Sequence, residues 1–399
     1  MLRDTKNHSR GKMTDSLILY RTLIEFVWQN GVRFHDLRCL ITFVWAISGL
    51  LLSQQIHLSQ WMLYRPGPAK AASKERQLAR WLHNAKISPS QVYGPLIRAV
   101  LRTWAGQRLY LALDSSVLWN RFALVRLALI YRGRALPLSW IVLTSQSATV
   151  AFTDYKMILE QAACLLPDDC QVVLLADRGF VDVKLFRLAR DLGWSFRVRL
   201  KQDIWVYRAH KPRTKVGRLM PAKGQALLLH KVWLTEQWFG PVYLVLAHVQ
   251  TPDGYQPWAI VSDEPTELHT LTEYSWRFDI EENFLDDKSA GFKVESSEIR
   301  QPQALSRLFL ILATATLYLV NSGVAVVTTR QRHQIDTHWH RGLSYLQLGW
   351  RWVRHALSHG KRLFTSLWLR AGPDPEPVFA SKKQAAQPVA SLSAIRLLI

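Results

Sequence analysis

Apolar positions recur at helical spacing from residue 14 to about residue 104, with basic residues between them. The pattern breaks at "RPGPAKAAS" and resumes in "KERQLARWLHNAKISPSQVYGPLIRAVLRTW". Strand-like text starts at "RLYLALDSSVLW" and continues through "FALVRLALIYRGRALPLSWIVL", where Arg132-Gly133-Arg134 reads as a hairpin turn. The helical segment "YKMILEQAACLL" follows, then "CQVVLLADRGF", a short apolar run ending in a turn that suits a buried strand. Another helix, "VKLFRLARDLGW", precedes another strand, "SFRVRLK". Strands followed by alternating helix and strand predict an α/β sheet. From about Lys201 to Glu264 the text is rich in strands and turns and reads as a β-rich insertion. Helices resume near Leu268.

Two apolar runs raise the question of a membrane. "LITFVWAISGLLL" is too short to span a bilayer, and "LFLILATATLYLVNSGVAVV" is long enough but carries Thr314, Thr316, Asn321 and Ser322. A single late span would leave some 300 strongly basic residues without a role. Both runs are therefore expected to be buried core helices, with no membrane partner.

The 399 residues suffice for two or three domains and a large core. Lys plus Arg is 51 against 30 Asp plus Glu, a formal net charge of +21, which suits a polyanion and nucleic acid first. Residues 1–104 hold 15 Lys plus Arg against 5 acids, so this helical segment is a candidate DNA-binding domain, with a simple helical support domain an equal alternative. From Arg330 onward there are 11 Lys plus Arg against 3 acids, in a basic helical tail expected to lose order after "GPDPEP". The three cysteines form no CxxC pair, which gives little support to a zinc site or a disulfide framework and fits a reducing cytosol. The polar N-terminus leads into no signal-peptide pattern. His355 and His359, near His333, His338 and His340, lack acidic or cysteine partners at metal spacing.

The candidate chemistry lies in "YSWRFDIEENFLDDKSAGFK", Tyr274 to Lys293. On a helix at about 100° per residue, Tyr274, Arg277, Glu281 and Lys288 fall within a stripe about 60° wide. Trp276, Ile280 and Phe284 form an apolar face that would pack on a sheet. Asp279, Glu282 and Asp286 fall on a separate face and read as solvated. Taken alone, the stripe reads first as a surface ion pair between Arg277 and Glu281. Two further acids change the balance. Asp114 follows apolar residues in "LYLALDSS", where a carboxylate is desolvated unless paired or metal-bound. Asp177 stands between "VVLLA" and "RGF", at a strand's carboxyl end where ligands of open α/β sheets gather, although an N-cap would also suit it. Two strand-borne acids and one helix-borne acid in a basic chain suggest a carboxylate cluster for Mg²⁺, a hard cation that takes oxygen ligands.

These residues resemble the signature of the DDE transposases of bacterial insertion sequences, in the IS-four family. The family's Y-x₂-R-x₃-E-x₆-K is matched by Tyr274, Arg277, Glu281 and Lys288 at every gap, within "RFDIEENF". Asp114 in "LALDSS" and Asp177 in "ADRGF" match the family's two aspartates. Weaker likeness in "RWLHN" and "RGLSYLQLGWRW" extends the resemblance over about residues 70–355. Phe278 stands where the family often has Trp.

The resemblance implies an RNase H-like mixed sheet with flanking helices, interrupted by a β-rich insertion and preceded by a helical domain. On that reading residues 1–104 are the N-terminal domain, and 105–200 and 265–330 form the two parts of the catalytic core. Residues 201–264 are the insertion and 331–399 the tail. It implies a bacterial, cytoplasmic enzyme that cuts element ends and joins them to target DNA. Asp114, Asp177 and Glu281 would be catalytic and would bind two Mg²⁺ ions, with Mn²⁺ able to substitute. Tyr274, Arg277, Phe278 and Lys288 would contact DNA. The partners would be the element's terminal inverted repeats, target DNA and a second copy of the chain in a synaptic complex. In better-known members the freed 3′-OH attacks the opposite strand to make a hairpin, which is reopened before target joining. A nuclease without strand transfer and a silent DNA-binding repressor or inhibitor remain open.

Overall fold

A computed structural model describes residues 14–251, 254–378 and the backbone of 396–398. The helical text of the first hundred residues forms α1 (Asp15–Gln29), α2 (Leu37–Ser53), α3 (Leu58–Trp61), α4 (Ala71–Leu82) and α5 (Pro89–Leu101). Asp36 caps α2 by accepting from the Arg38 amide at 2.8 Å, which satisfies one of the helix's free N–H groups.

The sheet begins with β1 (Arg108–Leu118), β2 (Phe122–Ile130) and β3 (Ala135–Thr144), an antiparallel meander. The β2–β3 turn falls at Arg132 and Gly133, both with positive φ, so the "RGR" signal marks a real reversal. Next come α6 (Phe152–Ala163), β4 (Gln171–Ala176), α7 (Val183–Asp191) and β5 (Ser195–Arg199). β4 joins β1 in parallel and β5 joins β4 in parallel. The order β3-β2-β1-β4-β5, with β2 antiparallel to its neighbours, is the RNase H-like arrangement, so the expected fold class is present.

The β-rich stretch consists of β6 (Trp205–Arg208), β7 (Lys211–Lys215), β8 (Gln225–Leu234), β9 (Phe239–Thr251) and β10 (Gly254–Ser262). These strands continue the core sheet. β10 pairs antiparallel with β5, and the order runs on as β10-β9-β8-β6-β7. The open edge of β5 is thereby covered, which removes an exposed ladder of backbone donors and acceptors.

The chain then turns helical as α8 (Leu268–Ser275) and α9 (Asp279–Leu285), followed by α10 (Pro302–Thr328) and α11 (Tyr345–Ser358). The short strand β11 (Arg396–Leu398) pairs in parallel with β8. The longer apolar run is α10, and the hydrophobic window that could span a bilayer by composition is wholly buried within the protein. It packs against β3, α2, α4, α5 and α11. Two glycines permit the α10–α11 contact: a Cβ on Gly323 would lie 2.0 Å from the Tyr345 carbonyl oxygen, and one on Gly349 1.8 Å from that of Leu319. The chain after α11 folds back on the core, where Trp104 donates to the Leu369 carbonyl at 3.2 Å. The loss of order expected after "GPDPEP" concerns residues 379–395, outside the described residues.

Candidate active site

Asp114 and Asp177 are neighbours because of strand register. β1 and β4 are parallel and pair as far as Leu113 with Ala176. Each aspartate is the next residue, so Asp114, midway along β1, stands beside Asp177, which directly follows β4, with the two backbones about 4.8 Å apart. Asp177 does not cap the short turn that follows; its side chain makes no cap hydrogen bond. It accepts instead from the Tyr274 hydroxyl at 3.3 Å.

Glu281 reaches the strand ends from the helical run α8–α9. That run is pinned to the sheet at both ends by buried polar contacts. At the α8 end Glu273 accepts from Arg197 of β5 at 3.1 Å and from the Tyr110 hydroxyl of β1 at 2.5 Å. Beyond α9 Asp287 accepts from Arg126 of β2 at 2.7 Å, while Arg126 also donates to Asn283 at 2.5 Å. Arg126 and Asp287 are 1% and 3% exposed, so neither charge can be satisfied by water. Between these anchors Ile280 and Phe284 are buried, as the apolar face predicts. Trp276 packs edge-on against Tyr110 with ring centroids 4.6 Å apart.

Arg277 joins the acids. It is buried, and its guanidinium donates to Asp114 at 2.7 Å and to Glu281 at 2.8 Å. Tyr274, fully buried beneath it, holds Asp177. One arginine and one tyrosine thus bring the three acids into one cluster although they come from β1, the end of β4 and α9. Burial pushes Asp114 up to about 6, against the downward pull of Arg277 and the Ser115 amide. Burial likewise raises the Tyr274 hydroxyl, which therefore stays protonated and able to donate.

Several sequence expectations meet a different arrangement. Arg277 is engaged with acids on both sides rather than free to meet a phosphate, and Tyr274 is inside the fold. Phe278 stacks on Trp258, with centroids 5.8 Å apart, and lies 4.6 Å from the Arg277 guanidinium. Lys288 donates to the Val117 carbonyl at 2.7 Å, at the end of β1. The face carrying Asp279, Glu282 and Asp286, expected to be solvated, is largely covered by Arg134 from the β2–β3 turn. Asp286 lies 3.0 Å from Arg134, and burial pushes Asp286 up to about 6 and Asp279 up to about 7. Only Glu282 of the three is exposed. Arg126 and Arg197 carry no role in the sequence pattern, and Arg134 figures there only as part of a turn. The available signal was Arg126, a single cation inside the otherwise apolar strand "FALVRLALI".

The donor set is all oxygen, which suits a hard divalent ion. In the present arrangement the Arg277 guanidinium is the cation between Asp114 and Glu281. Among the described residues no three acids, histidines or cysteines stand close enough to enclose a metal as they are.

Residues 119–318 match the sequence profile of the transposase DDE domain, half of the chain's length. This chain belongs to the transposase DDE domain family. The matched span includes Asp177, Tyr274, Arg277, Glu281 and Lys288, and begins five residues after Asp114. No curated protein matches the chain. Among solved structures, a piggyBac transposase synaptic complex with hairpin DNA aligns at 10% identity with a TM-score of 0.41, over 95% of this chain and 89% of that one.

Proposed function

We propose that this chain is the DNA transposase of a bacterial insertion sequence, cutting the element's ends and joining them to target DNA. The observation that carries the reading is the meeting of Asp114, Asp177 and Glu281 around Arg277 and Tyr274. Three carboxylates, from the middle of β1, the end of β4 and α9, form an oxygen-only donor set in a strongly basic protein.

Asp114, Asp177 and Glu281 would hold two Mg²⁺ ions, or Mn²⁺ in their place. Such ions supply activation of the attacking oxygen and charge neutralisation at the leaving one. In the first step a water oxygen bonds to the scissile phosphorus and the bond to the 3′ oxygen breaks, leaving a 3′-OH on the element. In the joining step that 3′-OH bonds to a target phosphorus and displaces the target's own 3′ oxygen. Tyr274 fixes the orientation of Asp177 throughout. Arg277 holds Asp114 and Glu281 together before DNA arrives, and once released by them its planar fork suits a phosphate. Lys288 ties the helical run to the end of β1. The active assembly would be a homodimer on paired DNA ends.

The position of Arg277 also favours a second reading, a silent DNA-binding relative whose acids stay locked on the guanidinium. One experiment separates the readings. Purified protein is incubated with Mg²⁺ and a plasmid carrying the element's own terminal inverted repeats. Excision with insertion elsewhere is expected. Cutting without joining would make the protein a nuclease, and a gel shift without cutting would make it a repressor or inhibitor.

A further inference from the structure

The far edge of the sheet carries a cluster that the acid site does not use. Residues 204–235 contain seven Lys and Arg and no acid. Within them β6 and β7 form the terminal hairpin of the sheet. Alternation along β7 puts Arg213 and Lys215 on one face, and a β-bulge sets Lys211 opposite Arg208; all three are exposed. Trp205 pairs directly with Lys215, so its ring shares that face, as does Tyr207 two residues on. Val206, between them, points the other way and is fully buried. Arg213 lies 4.5 Å and Lys215 5.3 Å from the Trp205 ring centroid. Trp238, 60% exposed, stacks on Tyr207 with centroids 4.3 Å apart.

A simpler explanation exists for cations and a proline on an edge strand, since such residues block edge-to-edge aggregation. That explanation requires neither the aromatic floor under the cations nor an exposed tryptophan beside them. Two cations about 6.7 Å apart over a ring that orients their charge, with a third exposed cation at the hairpin end, match the backbone of a polyanion instead.

We infer that the β6–β7 hairpin, with Lys211, Arg213, Lys215 and Trp238, is a second DNA-binding surface that grips duplex backbone without reading sequence. This rests on the reading of the chain as a DNA-processing enzyme and adds where the duplex runs after it leaves the acids. β7 lies six strands beyond β4 in the sheet order. At ~4.8 Å per strand the hairpin is about 29 Å from Asp177 measured across the sheet. That is just under one helical turn of duplex, roughly 34 Å. The same DNA molecule can therefore touch both places.

The test uses the full chain and a fluorescein-labelled 40-base-pair duplex of random sequence, with affinity measured by anisotropy from 50 to 300 mM NaCl. Each neutralised phosphate contributes about 0.9 to the slope of log affinity against log salt. The variant Lys211→Gln/Arg213→Gln/Lys215→Gln should therefore lower the slope by roughly 2 to 3. The charge-keeping variant Lys211→Arg/Arg213→Lys/Lys215→Arg should retain the wild-type slope. An equal triple at exposed sites elsewhere, Lys156→Gln/Lys184→Gln/Arg187→Gln, should change it by less than about 1. A wild-type slope in the hairpin variant, or equal losses in the charge-keeping variant, overturns this inference and leaves the enzyme reading standing. Absence of any salt-dependent binding by the wild-type protein overturns both.

Discussion

Arg277 bridges two acids that differ sharply in exposure, and this predicts unequal coupling energies. Its own side chain is 4% exposed, that of Asp114 16% and that of Glu281 50%. The two bonds are nearly the same length, 2.7 and 2.8 Å. Length therefore gives no reason for a difference, and desolvation gives a large one. Removing one partner of a buried pair typically costs about 3–5 kcal/mol, because the other charge is stranded. An exposed pair is worth about 1 kcal/mol or less. The perturbation is a pair of double-mutant cycles, Arg277→Ala with Asp114→Asn and Arg277→Ala with Glu281→Gln. With some solvent still reaching Asp114, its coupling to Arg277 should be about 2–3 kcal/mol, and that of Glu281 about 0.5 kcal/mol. The assay is urea unfolding at pH 7.5, followed by fluorescence and circular dichroism, with coincident curves required for two-state treatment. Equal couplings, or a larger one for Glu281, would refute the view that burial decides which acid Arg277 serves in folding.

Glu281→Gln should abolish strand cleavage whereas Glu282→Gln, 60% exposed and 3.7 Å from Arg134, should leave most of it, as a labelled-duplex cleavage assay would read. Asp286 has a folded-state pKa of about 6, above its ordinary 3.8, so the folded protein keeps a proton that the unfolded chain has lost between those values. Stability should thus fall as pH rises from about 4 to about 6, by at most roughly 3 kcal/mol from this group, and Asp286→Asn should flatten that slope in urea titrations at pH 4.5 and 7. Asp336, 1% exposed, accepts from Arg332 at 3.2 Å and from the His338 and Gly342 amides. Asp336→Asn should cost about 3 kcal/mol in thermal unfolding, while Trp339→Ala, at a residue 85% exposed in the same loop, should change stability by less than about 0.5 kcal/mol.

The sequence made the strand-borne acids visible because an apolar run that stops at an aspartate has few structural reasons to do so. It made the Tyr274–Arg277–Glu281 face visible because spacings of three and four survive small changes in helix geometry. Arg277 does meet Glu281, and Tyr274 lies below Arg277 on the same side. Lys288 departs from the wheel because the last turn is π-helical over Asp286–Ala290, with fewer degrees of rotation per residue than the 100° assumed. The covered acids could not be read from one helix. Arg134 is 152 residues from Asp286 in sequence and Arg126 is 161 from Asp287, and both arrive only through the β2–β3 meander. A helical wheel sorts residues by direction and is blind to what the sheet places opposite.

The same blindness explains why Arg277 had only two readings in the sequence, a minor surface ion pair or a phosphate contact. Folding imposes a third requirement. Two aspartates on neighbouring strands and a half-exposed glutamate on α9 repel one another, and the Asp114 pKa is raised partly by Glu281 and Asp177 after burial itself. A chain that folds before it meets metal or DNA needs a resident cation there, and only a forked one can serve two acids at once. On the proposed function the guanidinium then stands where charge would later be exchanged for metal and phosphate. If the three acids hold metal as proposed, the residue that lets the cluster form is also the one that must let go of it, and opening of the Arg277 bridge becomes a step of the proposed cycle.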